Sequence, residues 1–230
     1  MTLATVALDC AKRLGRVDAN GTAIIDLEGE IKESIADAIR FYNRQKWALT
    51  EFRGFEVTTV ASTVWYSTVD LTSGDGDQDK TSRTAVDVNT ILDIHYLRVD
   101  DSNGLDYELK RVAYKDFEEL LEGVSPAIYP DVYTMYAGQI GFFPTPDAAY
   151  TIYGSGHIKP PIPTSDSDDS VWFTEAEDLI KYAALKRVCV NYLRDTERAA
   201  EFGAMETVEA NALHGEFVRK TSTGRLKAQW

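Results

Sequence analysis

IGFFPTPDAAYTIYGSG, Ile140 to Gly156, sets two runs of alternating apolar and small residues on either side of Pro144-Thr145-Pro146-Asp147. Runs of this kind read as strands. Proline lacks a backbone donor and fixes φ, so the tetrapeptide ends one strand and starts the next without supplying a catalytic group. It reads first as a turn, and the alternative for Pro144, Pro146 and Asp147 is a binding loop. Just upstream, VYTMYAG and QIGFFP form a hairpin turning at Ala137-Gly138, and AAYTIYGSGHIK is expected to pair next.

Working outward, the whole middle of the chain has this texture. FEVTTVASTVWYSTVDL from Phe55, VDVNTILDIHYLRVDD, and LDYELKRV after the Ser102-Asn103-Gly104 turn read as strand regions. YKDFEELLEG reads as a short helix closed by Gly123, and SPAIYPD as a loop punctuated by proline. The two ends are different. Thr2 to Leu14 places Leu3, Val6, Ala7 and Cys10 on one helical face and stops at Gly15. LEGEIKESIADAIRFYNRQ spaces Ile31, Ile35, Ala38, Ile39 and Tyr42 by three and four, with Glu28 and Glu30 near the positive end of the helix. After the linker PPIPTSDSDDS, WFTEAEDLIKYAALKRVCVNYLRD offers Thr174 as an N-cap with Glu177 three residues on, and Ile180, Ala184, Val188 and Tyr192 along one face. ERAAEFGAMETVEANALHGEFVRK gives a further helix with Phe202, Met205, Leu213 and Phe217 facing inward.

The expectation is an α+β protein: a helical bundle formed by N- and C-terminal helices, an inserted antiparallel β-rich region, and an extended C-terminal arm. The boundaries are 1–54 and 164–218 for the bundle, 55–163 for the insertion and 219–230 for the arm. No repeat of twenty to fifty residues is present.

With 230 residues and 44% hydrophobic composition the chain can bury a core. A net charge of -13 disfavours any general affinity for nucleic acid or an anionic membrane. No basic, then apolar leader opens the sequence, and no stretch approaches the ~20 apolar residues of a membrane span, so synthesis and assembly in the cytoplasm are expected.

Cys10 and Cys189 match no metal spacing and read as reduced core thiols. Asp75-Gly76-Asp77-Gln78-Asp79 begins like a calcium loop, but Lys80 and Val86 stand where glycine and glutamate are required, so it reads as a solvated turn. Asp166, Asp168 and Asp169 precede a helix, where their charge suits the dipole. His95, His157 and His214 are scattered, with no partner at metal-binding spacing and no nucleophile elbow or phosphate loop. No catalytic residue, metal or cofactor is expected. The aromatics from Trp47 to Tyr153 read mainly as core and cross-strand pairs, with some available to anchor a protein contact. FVRKTSTGRLKAQW carries Arg219, Lys220, Arg225 and Lys227 without a carboxylate side chain and ends on Trp230, in contrast to the acidic remainder. Such a segment suits an arm that orders against a partner.

In this order, the segments resemble the head-to-tail adaptor (head-completion) proteins of tailed bacteriophages. The resemblance rests on IKESIADAIRFYNRQKWALTE, Ile31 to Glu51; on YTMYAGQIGFFPTPDAAYTIYGSG, Tyr133 to Gly156; and on SDSDDSVWFTEAEDLIKYAALKRV, Ser165 to Val188. Within them the matching positions are Gly138, Ile140, Pro144, Pro146, Asp147, Tyr150 and Ile152, then Trp172, Glu175, Asp178, Ala183, Ala184 and Leu185. The resemblance implies a structural virion protein at the portal vertex, in the neck between head and tail. It implies a dodecameric ring docked on the portal protein, meeting tail tube, nozzle or tail-completion proteins on the other side and passing double-stranded DNA through an acidic channel. The arm toward the portal becomes Thr221 to Trp230, with Thr221, Arg225, Leu226, Lys227 and Trp230 as contacts; Pro144, Pro146 and Asp147 become a subunit or tail contact. The free protein is then a soluble monomer. The alternatives are a tail terminator or other neck protein, a metal-dependent hydrolase on the Asp-rich loops, or a β domain binding carbohydrate or peptide through exposed aromatics.

Overall fold

The computed structural model describes residues 1–17, 25–72, 83–100, 106–123 and 126–221. The elements begin with α1 (Leu3–Arg13) and α2 (Ile25–Tyr42). The strands that follow are β1 (Glu51–Thr58), β2 (Trp65–Tyr66), β3 (Thr68–Thr72), β4 (Arg83–Asp87), β5 (Ile91–Asp100), β6 (Asp106–Glu108) and β7 (Lys110–Arg111). Next come α3 (Tyr114–Glu122), β8 (Val132–Tyr136), β9 (Gln139–Phe143) and β10 (Thr151–Ile158), then α4 (Val171–Glu175), α5 (Glu177–Val188) and α6 (Thr196–Thr221). The fold is α+β, with helices at both ends of the chain and antiparallel sheet between them. Two compact units result: residues 1–50 joined by the chain from Pro160 onward, and residues 51–159.

In the helical unit α1 ends as its sequence dictates. Gly15 takes φ of +68°, and the N–H groups of Gly15 and Arg16 bond the carbonyls of Lys12 and Ala11 at 2.9 Å each, the paired bonds of a Schellman stop. The apolar face of α1, with Val6 and Cys10 fully buried, meets Ile31, Ile35 and Ile39 of α2 and Ile180, Ala184 and Val188 of α5 in one core. Tyr42, Trp47 and Trp172 close that core, their ring centroids 5.8 to 6.3 Å apart.

Two readings of the C-terminal helices are corrected. The helix starts earlier than Thr174: Ser170 is the cap of α4, its hydroxyl accepting the Trp172 N–H at 3.4 Å, and Thr174 lies inside that short helix. The backbone then breaks at Ala176 (φ -142°, ψ 39°) before α5 begins without a side-chain cap. Second, the expected face does not extend to Tyr192. Residues Cys189–Leu193 form a π turn ended by Arg194 at φ of +55°, and one extra residue per turn rotates Tyr192 to the surface, where it bonds Glu33. On α6, Phe202 and Leu213 pack against the core, whereas Met205 is exposed. The helix also runs through Thr221, past the expected start of an extended arm at 219; residues 222–230, with Arg225, Leu226, Lys227 and Trp230, lie outside the described residues.

The β unit holds a six-stranded sheet in the order β4-β3-β1-β10-β5-β6 and a four-stranded sheet in the order β2-β9-β8-β7. All pairings are antiparallel except β7 with β8. LDYELKRV is two strands in two sheets: β6 pairs with β5, the chain passes through buried Leu109, and β7 pairs with β8. The β8–β9 hairpin does turn at Ala137-Gly138, both at positive φ (+50° and +74°), as a two-residue turn matched to strand twist requires.

The strand after Pro144-Thr145-Pro146-Asp147 does not pair with that hairpin. β9 already has β2 on one side and β8 on the other, so β10 crosses to the larger sheet and inserts between β1 and β5. Its composition permits this central place, because a Cβ on Gly156 would stand 2.1 Å from the Asp93 carbonyl oxygen. The two sheets share one core, in which Phe55, Leu97, Ile140, Phe142 and Ile152 are almost wholly buried.

Candidate functional site

The tetrapeptide loop is fixed on both flanks. The Pro146 carbonyl accepts the Ser62 N–H at 2.8 Å and the Thr145 carbonyl accepts the Ile128 N–H at 3.1 Å. Pro146 is buried and Pro144 half-buried, so the part of the loop that a partner can reach is Asp147 with Ala148 and Ala149. Asp147 itself accepts the Tyr150 hydroxyl at 2.6 Å. The arrangement presents Asp147 at an exposed tip whose flanks are held by backbone hydrogen bonds.

The acidic linker is a clasp within the helical unit. The Asp168 carboxylate accepts the N–H groups of Thr164 and Ser165 at 2.9 and 2.8 Å, and those bonds hold it below the usual carboxylate range. Asp166 pairs with Lys32 at 2.6 Å, and the Asp168 carbonyl accepts the Leu3 N–H at 2.9 Å. Asp75, Asp77 and Asp79 lie outside the described residues. Among the described residues no group of three or more His, Cys, Asp or Glu is placed to hold a metal ion. His157 is buried with its ring 4.8 Å from that of His95, edge to face, and Glu51 stands 3.9 Å from His95. His214 stands on α6, in the helical unit.

The polar groups inside the helical unit are committed to structure. Lys181 is 5% exposed and bonds Asp9 at 2.6 Å as well as Glu177. Burial opposes its charge, yet the two carboxylates outweigh that and raise its pKa; the same ammonium holds Asp9 below its ordinary value. Burial pushes the Cys10 thiol up to about 12, which leaves it protonated and unreactive. Burial first, and then the bond to Glu206 at 2.6 Å, raises the Tyr42 phenol. No helix among the described residues is long and apolar enough to cross a membrane.

What the unit offers outward is surface. α6 exposes Met205, Val208 and Val218, and the seam of α2 with the π turn exposes Phe41 and Val190. In the β unit Tyr114 and Tyr136 stack at 3.6 Å with the latter half-exposed. Sequence reading missed the α6 surface because its period placed Met205 inward; the signal was the run of Ala200, Ala204, Val208 and Ala212 at steps of four.

The chain's exposed apolar residues, Met205, Val208 and Phe41 among them, are surface of the kind that protein–protein assembly uses. The family comparison is specific: the model of the SU10 adaptor protein family matches residues 1–227, and the chain belongs to that family of phage head-to-tail adaptors. No curated protein matches it.

Proposed function

We propose that this phage adaptor assembles as a dodecameric ring docked on the portal protein, at the neck between head and tail, and passes double-stranded DNA without chemical turnover. What carries the reading is the family match, which spans both units and extends to residue 227, beyond α6. The net charge of -13 supports the conducting role, since an acidic lumen denies phosphates any lasting contact. The segment after α6 is the exception to that charge. Starting from Thr221 at the end of α6, Arg225, Leu226, Lys227 and Trp230 form the arm that meets the portal, and many weak arms on one portal ring add up to high avidity. On the side away from the portal, the β unit meets tail-completion proteins or a neighbouring copy, with the Asp147 tip as one contact.

Removing residues 222–230 tests this reading, because α6 is left whole. The expected product is a folded chain, with unchanged far-UV circular dichroism, that no longer assembles on portal rings in negative stain. Normal assembly of the truncated chain overturns the arm; capping of tail tubes without portal binding favours a tail terminator.

A further inference from the structure

The helical unit leaves two apolar sets uncovered. On α6 Ala200, Ala204, Val208 and Ala212 follow one another at steps of four, with Met205 beside them. Met205 is 46% exposed and Val208 65%. Every exposed residue from Ala204 to Val218 lacks a carboxylate, ammonium or guanidinium group, whereas the exposed Glu197 and Glu201 stand at the N-terminal end of the stripe. A surface helix ordinarily carries charge on its outer face, so an uncharged stripe marks an interaction surface.

The second set lies where α2 ends. Phe41 is 45% exposed and Val190 52%. Beside them is a notch of about 400 Å³ lined by Asp37, Arg40, Phe41, Arg44, Arg187 and Asn191. The Arg187 guanidinium sits 5.8 Å from the Phe41 ring centroid. With Asp37 paired to Arg40 at 2.6 Å, the notch is a locally positive place on an acidic protein. Glu206 of α6 turns inward to the Tyr42 hydroxyl and the Lys186 ammonium at 2.6 and 2.7 Å, and Val208, two residues on and about 200° round the helix, faces away from the α2 end that carries Phe41.

We propose that the stripe on α6 of one copy docks into the Phe41 notch of the next. The small side chains of Ala200 and Ala204 leave room for the Phe41 ring, and Glu197 and Glu201 then face Arg44 and Arg187. One contact covers both apolar sets and pairs opposite charges. It is also heterologous: each copy keeps one stripe and one notch free, so the contact repeats until a ring closes. Pairing of α6 with α6 stops at two copies and leaves Phe41 uncovered. The inference rests on the ring reading above and names its subunit contact.

Cross-linking of full-length Val208→Cys/Arg44→Cys chains with a short bis-maleimide, in the presence of portal rings, tests it. The native thiols of Cys10 and Cys189 are buried and do not compete. The expected result is a ladder of covalent oligomers ending in a closed ring. Glu201→Arg, at an exposed site that does not affect folding, weakens assembly at least tenfold, and Glu201→Arg/Arg44→Glu restores most of it. Rings on the portal without a ladder overturn this contact and leave the ring standing. A covalent dimer from Val208→Cys alone shows α6 pairing with itself and overturns it too. No ring at all removes the ring reading and this contact together.

Discussion

The helical unit and the β unit fill their cores by different means. The helical unit joins two distant parts of the chain, and its core is crossed by polar bonds that specify which part meets which. Asn43 on one side accepts the Trp172 indole N–H at 2.8 Å and donates to the Pro160 carbonyl at 2.9 Å. Lys181 ties Asp9 of α1 to Glu177 of its own helix. The β unit is one continuous stretch, and its neighbours are fixed by backbone ladders. There the decisive quantity is space for the backbone, as at Gly154 and Gly156 of β10. Long-range assembly thus uses buried polar pairs for specificity, while local assembly uses close approach.

The largest losses are expected where each unit is most tightly filled. Trp172 is fully buried against Tyr42 and Trp47 and carries the bond to Asn43. Trp172→Ala should cost about 3–5 kcal/mol through the cavity and the unsatisfied Asn43. Hydrogen exchange read by mass spectrometry should show the lost protection in α2 and α5. Gly156→Ala attacks the β unit by the opposite route. The new methyl group meets the Asp93 carbonyl oxygen, a backbone atom that cannot rotate away. A loss of about 3 kcal/mol is expected, with faster exchange in β5 and β10; an unchanged urea midpoint would show that the two strands separate freely.

The same contrast explains what the sequence made legible. The α1 and α2 faces were readable because helix periodicity and core burial agree, residue by residue, from Leu3 to Cys10 and from Ile31 to Tyr42. Alternation identified the strands but not their partners: nothing in DAAYTIYGSG says that β9 has both edges occupied, so β10 was placed beside it. The split at Leu109 was hidden for the same reason, since both halves of LDYELKRV satisfy strand propensity. Tyr192 was misplaced by a π turn, which leaves no mark in a period of 3.6. Of the candidate surfaces, the Asp147 tip was visible as a turn, but the bond that holds the Pro146 carbonyl comes from Ser62, far away in sequence.

The Lys181 clasp makes a smaller contribution to the helical unit, and one that depends on pH. Lys181→Met should lower stability by about 2 kcal/mol, since Asp9 and Glu177 lose their shared cation. The raised pKa of Lys181 means that its contribution is complete below 10.5 and fades as pH rises through the folded value. Asp9 is shifted down, so its contribution is present above 3.8 and fades as pH falls through its folded value. Urea unfolding of the natural chain should therefore weaken at both limits, and the variant should show shallower limbs on both sides.

The smallest effect decides how the C-terminal helices begin. Sequence alone points to Thr174 as the cap with Glu177 completing a box, whereas in the fold Ser170 accepts the Trp172 N–H and Thr174 is exposed within α4. Ser170→Ala should cost about 1 kcal/mol, because a helix N–H loses its acceptor at a position that is itself buried. Thr174→Ala should be near neutral, alanine being the better helix former. Thermal melts of the two variants side by side measure the difference. A larger loss at Thr174 would mean that α4 and α5 start where the capping box places them, and the polar bond from Asn43 to Trp172 would then have to be held by something other than the Ser170 start.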